Sequence, residues 1–152
     1  LWARQGFLTL IPGPVVDPSF VAEAIADACL TYDVQMIAYD RWRIEDLKRE
    51  LGKMGAEPPL EPFGQGFRDM APAVDRLERA VAEARLRHAA NPVLTYCAAN
   101  AVMEMDPAGN RKLDKGKSSG RIDGIVALAM ALAVVDREGE EDLPLCLAEL
   151  LE

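Results

Sequence analysis

Apolar residues in this chain follow two rhythms, short unbroken runs and stripes that repeat every three to four positions. The run Gly6-Phe7-Leu8-Thr9-Leu10-Ile11 is rich in β-formers and stops at Pro12-Gly13-Pro14, which predicts a first strand and a turn. Asp17-Pro18 then offers an N-cap and a first helical residue. Phe20, Val21, Ala24, Ile25, Ala28 and Cys29 follow at helical spacing to about Tyr32. Val34 to Asp40 is a nearly continuous apolar run with an acidic end, the pattern of an interior strand covered on both faces. Ile44, Leu47, Leu51 and Met54 mark a second helix that Gly52 and Gly55 help to end.

Pro58 to Phe63 carries too many prolines for anything but a short or edge strand. Asp69 to His88 reads as the longest helix, with Ala73, Val74, Leu77, Ala80, Val81 and Ala84 on one face and Asp75/Arg79 and Glu83/Arg87 as ion pairs four residues apart. Asn91-Pro92 opens another helix. Val102 to Met105 and Arg111 to Leu113 flank the turn cluster Asp106-Pro107-Ala108-Gly109-Asn110, which predicts a hairpin. After a polar loop at Lys115 to Gly120, a strongly periodic helix runs from about Arg121 to Val135. The remaining residues, 136 to 152, read as a charged tail whose Leu143 to Glu152 portion suits a short amphipathic helix.

Strands and helices in this order predict a mixed α/β domain over residues 1–135, with a parallel pair joined through a crossover helix and an acidic tail beyond it. Three strands make a thin sheet with an apolar face and an edge left unpaired, and the chain starts at Leu1 rather than Met. An excerpt of a longer protein, lacking earlier strands, is therefore expected. With 152 residues, half of them hydrophobic, one core is the natural expectation. No apolar run approaches the roughly 20 residues of a membrane span, so a soluble chain is expected. The three cysteines, Cys29, Cys97 and Cys146, form no CxxC pair and read as small core residues of a reducing cytoplasm.

The formal charge of −8 argues against a general nucleic-acid coat, because such binding neutralises phosphates with Lys and Arg. One segment departs from this balance. Between Arg111 and Arg121 stand five basic residues, Arg111, Lys112, Lys115, Lys117 and Arg121, against Asp114 alone, so the segment is +4 and the rest sums to −12. A charge run usually marks a solvated surface, but this one directly precedes Asp123, and basic side chains beside a metal-binding carboxylate suit phosphodiester cleavage. They are expected on one exposed loop or hairpin beside Asp123.

Two carboxylates are candidates for metal chemistry. Asp40 lies at the carboxyl end of the apolar strand, where open α/β sheets collect ligands, although it or a neighbour would equally serve to cap the helix beginning near Arg43. Asp123 lies in the first turn of a helix, where the dipole favours an acid whatever its function. Helical geometry nevertheless sets it at the margin of the stripe Ile122, Ile125, Val126, Ala129, Met130 and Ala133, close to Val126 and Met130, a place with no need for a capping Asp. His88, the single histidine, reads as structural, no GxxxxGK[ST] phosphate loop occurs, and Gly64-Gln65-Gly66 is too short for a phosphate cradle.

The stretches Gly6 to Gly13 with Val16-Asp17, Ile37 to Trp42, His88 to Leu94, Asn100, Asp106 to Lys112 with Lys115, and Arg121 to Ala131 together resemble the nuclease domain of tailed-phage large terminase subunits. The resemblance implies a ribonuclease H-like mixed sheet flanked by helices. It implies a two-metal endonuclease using Mg²⁺ or Mn²⁺ to cut concatemeric double-stranded DNA in the bacterial host cytoplasm. Three acids serve such a site, and Asp40 and Asp123 match the second and third as catalytic metal ligands; the first-strand acid has no counterpart in this chain. Arg111, Lys112, Lys115, Lys117 and Arg121 would guide the DNA backbone. The implied partners are double-stranded DNA, the portal, the small terminase subunit and the ATPase domain of the same full-length chain, with no membrane. A competing reading is a non-catalytic docking or regulatory fragment of the packaging motor whose carboxylates are only caps. A small-molecule α/β enzyme has less support, since no cofactor motif occurs.

Overall fold

The computed structural model describes residues 1–42, 44–135 and 145–146. These fall into two compact units, Thr9–Phe63 and a second built from Leu1–Leu8 with the chain from Gly64 onward. The architecture is mixed α/β, as expected, with five α-helices and three two-stranded sheets among the described residues.

In the unit Thr9–Phe63, α1 (Pro18–Thr31) starts as the sequence predicts: Asp17 accepts the Ser19 N–H at 2.9 Å and Pro18 occupies the first turn. Helix α1 packs on α2 (Ile44–Lys53). The end of α2 is a Schellman turn in which Gly55 adopts φ +68° while the Ala56 and Gly55 N–H groups donate to the carbonyls of Leu51 and Gly52. Helix α2 also serves as the crossover between two parallel strands, β1 (Ile37–Asp40) and β2 (Leu60–Phe63). Pro62 stands opposite Tyr39 in this pair, tolerable because β2 has no second neighbour among the described residues.

Two strand expectations fail. Residues 6–11 form no strand; a 3-10 helix at Trp2–Gln5 precedes an irregular segment in which Leu10 is 78% exposed. High β-propensity does not make a strand without a partner to take its backbone hydrogen bonds. The apolar run 34–40 becomes strand only at Ile37–Asp40, pairs on one side alone among the described residues, and is half-buried rather than covered on both faces. Apolarity records what a run can bury, not how many neighbours it has.

The second unit is built around α3 (Phe67–Ala82) and α5 (Asp123–Val135), which pack together, with α4 (Pro92–Ala99) against α5. Helix α3 buries Met70, Ala71, Ala73, Val74, Leu77 and Ala80, and α5 buries Ile125, Val126, Leu128, Ala129, Met130, Leu132, Ala133 and Val134. The Arg76 guanidinium donates to the Ala133 carbonyl at 2.9 Å, satisfying an acceptor in the last turn of α5. Asn91 caps α4 by accepting the Val93 and Leu94 N–H groups. The predicted hairpin is present as β4 (Met103–Met105) antiparallel to β5 (Arg111–Leu113), closed by Asp106, which accepts the Ala108 and Asn110 N–H groups, with Gly109 at φ +87°.

Helix α3 ends earlier than its periodicity suggested, at Ala82, and Leu86–Arg87 instead form β3, parallel to β6 (Leu145–Cys146). The expected ion pairs along α3 give way to tertiary and local partners: Asp75 meets Arg111, and Glu83 meets Arg85. The expected tail and its helix at Leu143 to Glu152 lie outside the described residues, except for Leu145–Cys146, which are strand. Of the cysteines expected in the core, Cys97 is buried and Cys29 half-buried.

The stop signal of α3 is Ala84, held at φ +54° while the Arg85 and Ala84 N–H groups donate to the carbonyls of Ala80 and Val81, the Schellman arrangement with alanine where glycine is preferred. Left-handed backbone costs an L-residue roughly 1–2 kcal/mol, partly offset by glycine's greater freedom when unfolded. Ala84→Gly is therefore expected to stabilise the protein by about 0.5–1 kcal/mol in urea denaturation; a loss of stability would show that this turn is not the stop.

Candidate nuclease site

Helix α5 begins at Asp123, and its exposed row is Asp123, Ala127, Ala131 and Val135, one residue every four. The remaining faces are buried. Asp123 thus heads the solvent side of α5 and is not at the margin of the buried stripe; its side chain is 62% exposed. The apolar surface of α5 is wider than the six-residue stripe predicted, since Leu128, Leu132 and Val134 are also buried, and the wider burial leaves the Asp123 row as the face turned to water.

The polar loop after β5 folds back on this carboxylate. Lys115 Nζ donates to Asp123 Oδ1 at 2.6 Å. The loop is braced by Asp114, which accepts the Gly116 and Lys117 N–H groups, and by Ser118, whose hydroxyl donates to the Asp114 carbonyl. Farther along, Ser119 Oγ donates to Asn100 Oδ1 at 2.8 Å, and Gly120 passes so close to Tyr96 and Asn100 that a Cβ there would collide with both. Tyr96 is itself held edge-on against Trp2, with ring centroids 5.5 Å apart. The sequence reading did not single out Tyr96; nothing in its spacing marks it, because its role depends on a loop 24 positions away in the chain.

The Lys115 ammonium holds the Asp123 carboxyl below the usual Asp range, against the opposing effect of partial burial and with a smaller contribution from Arg121. A depressed carboxyl pKa stabilises the fold above the unfolded value, and that stability is lost as pH falls through the folded value. With so exposed a pair the stability effect is small, so the titration itself is the better readout. Lys115→Ala is expected to return the Asp123 carboxyl upward toward its ordinary value in an NMR titration; an unchanged midpoint would deny the pairing.

The other basic residues of the segment divide between β5 and the loop and do not share one free surface. Arg111 donates to Asp75 at 2.7 Å and to both carboxylate oxygens of Glu78, pinning β5 to α3; these partners, Glu78 foremost, raise its pKa. Lys112 lies 3.2 Å from Glu104 and 4.8 Å from the centre of the Phe67 ring. Lys117 meets Glu104 at 3.2 Å and Asp114 at 3.5 Å. The +4 of the segment is therefore largely answered by Asp75, Glu78, Glu104 and Asp114, which the linear charge count could not bring near it. Lys115 meets Asp123, and Arg121 is exposed two positions before it.

Asp40 belongs to the unit Thr9–Phe63. It ends β1, is exposed, and accepts the Trp42 N–H at 3.1 Å in a local turn. This bond closes a local turn and leaves one Asp40 oxygen outside it. A cleft of about 630 Å³ in the same unit is lined by Val15, Val16, Asp17, Val21, Leu47 and Glu50 among others and does not include Asp40. Exposed carboxylate oxygens are the hard donors that Mg²⁺ and Mn²⁺ prefer, so Asp40 and Asp123 each fit such an ion by chemistry. Among the described residues no group of three or more His, Cys, Asp or Glu converges on one ion position.

Known proteins match the chain over most of its length. The family described as "Terminase large subunit, endonuclease domain" matches residues 1–140. The chain is 48% identical over 141 residues to the terminase large subunit of Enterobacteria phage HK97, covering 93% of this chain and 28% of that protein. It is 30% identical over 135 residues to Protein YmfN of Escherichia coli (strain K12), covering 86% of this chain and 29% of the relative. The crystal structure of the HK97 bacteriophage large terminase superposes with a TM-score of 0.83 at 50% identity, over 88% of this chain and 28% of that one. The chain thus spans less than a third of the length of these relatives and shares the fold of the matched part of the HK97 structure. With the family matched over most of its residues, the chain belongs to the terminase large subunit endonuclease domain family.

Proposed function

We propose that this chain is the part of a phage packaging motor that cuts concatemeric double-stranded DNA, with Asp40 and Asp123 as catalytic ligands of Mg²⁺ or Mn²⁺. The observation that carries the reading is the Asp123 carboxylate, presented to solvent at the head of α5 and hydrogen-bonded by Lys115. An ion bound there would polarise the scissile phosphate and activate water. The protein's own part is to hold that anion in place: the dipole of α5 favours the charge, and the braced loop fixes the lysine against it. Lys115 and Arg121 are the basic residues best placed to meet a phosphate near Asp123. Arg111, Lys112 and Lys117, occupied by acids, serve first to hold β5 and its loop and reach DNA by exchanging partners. The complete protein would work in the bacterial cytoplasm with its own ATPase domain, the portal and the small terminase subunit.

Those same ion pairs are what favours the second reading, a docking or regulatory fragment, because paired side chains offer little free charge to DNA. Manganese-dependent plasmid nicking by the complete protein and its Asp40→Asn and Asp123→Asn variants separates the two. Full cleavage in either variant removes that residue from the chemistry, and full cleavage in both leaves the docking reading.

A further inference from the structure

We infer that Trp42, assisted by Arg41, is a base-stacking element of the DNA path beside Asp40. The inference rests on the proposed role of Asp40 and adds the residues that position the strand there. Trp42 is 81% exposed, although an indole is among the side chains that gain most from burial. Its backbone N–H donates to the Asp40 carboxylate at 3.1 Å, which sets the Trp42 backbone in a turn just past the end of β1. The other aromatic of this strand end, Tyr39, is half-buried with Lys48 Nζ 5.7 Å from its ring centre, and is not offered in the same way.

The flanking residues indicate what the indole takes. Asp40 and Arg41, the two residues before it, are both exposed and charged, so the adjoining chain gives Trp42 no apolar extension of the kind that docks another protein. An exposed aromatic face carried next to an arginine in the chain matches a nucleotide instead: the ring stacks on a base and the cation meets the adjoining phosphate. In an intact duplex the base faces are covered by their neighbours. The partner is therefore an unpaired base, as at a nick or a frayed end, and the contact would hold the strand once the first bond is cut.

The test is the complete protein in EDTA, where no cleavage occurs, titrated against a labelled single-stranded oligonucleotide and its duplex. Trp42→Ala is expected to weaken single-strand binding by about 5- to 150-fold, the worth of one stacked base, with a smaller effect on duplex. Trp42→Phe should keep most of the affinity. The dependence of log K on log salt should be unchanged by Trp42→Ala, since stacking releases no counterions, whereas Arg41→Ala should lower that slope by about one. Parental affinity of Trp42→Ala for both DNAs overturns the proposal. So does equal weakening by Ala and Phe with a lowered melting temperature, which would make the ring structural. Nicking by Asp40→Asn, assayed separately in manganese, reports on the ligand role of Asp40 alone, so the two readings fail by different measurements.

Discussion

Asp123→Asn is expected to reduce manganese-dependent DNA nicking by the complete protein at least about 100-fold, with no comparable loss of folding stability. Asn keeps the size of Asp and one carbonyl oxygen but removes the charge. Charge is what the proposed site uses: a metal contributes several kcal/mol of transition-state stabilisation, and each ~1.4 kcal/mol lost is a factor of ten in rate. The structural cost is of another order. Asp123 is largely exposed, its bond to Lys115 is a surface pair worth at most about 1 kcal/mol, and its favourable place at the start of α5 adds a similar small amount. A thermal melt close to the parent's beside lost cleavage and weakened manganese binding is the expected combination. Parental cleavage by Asp123→Asn would remove the residue from the chemistry, and a collapsed melt would make it a structural residue.

Met70→Ala should have the opposite signature, a large loss of stability by a route remote from the site. Met70 is 2% exposed in α3, the helix that carries most of the packing against α5 and β5. Truncating a buried methionine typically costs about 2–5 kcal/mol through lost contacts and the cavity left behind. Alanine is the better helix former, so the local term slightly opposes the loss, and about 3 kcal/mol is expected. For a chain of this size that lowers the melting temperature by about 6–12 °C. Urea denaturation showing less than about 1 kcal/mol would mean that α3 is not a principal support of this unit. Because Arg111 ties β5 to α3 through Asp75 and Glu78, loosened packing of α3 should also loosen the loop that carries Lys115.

Elements whose cause is local were legible from the residues alone. Asp17-Pro18 and Asn91-Pro92 start α1 and α4 because each cap is a bond between neighbours, and Gly55 and Gly109 turn the chain where a positive φ is needed. The hairpin at Met103 to Leu113 and the extent of α5 follow from turn chemistry and periodicity. Residues 6–11 and 34–36 misled the reading for one reason: β-propensity states that a segment accepts a strand partner and says nothing of whether one pairs with it. The overlong α3 had a different cause. Its apolar repeat continues past Ala82, but the chain turns at Ala84 in a left-handed conformation that an alanine does not announce.

The candidate site divides along the same line. By itself the sequence determined that Asp40 closes an apolar strand, that Asp123 opens an apolar helix, and that a basic loop stands just before it, because all three are relations between near neighbours. Only the tertiary structure decided that Asp123 faces water, that Lys115 is the cation touching it, and that Arg111, Lys112 and Lys117 are taken up by Asp75, Glu78, Glu104 and Asp114. Which acid a long basic side chain meets depends on how α3, the hairpin and α5 pack. Surface pairs of similar small energy are then selected by proximity, and proximity across the chain is a property of the fold.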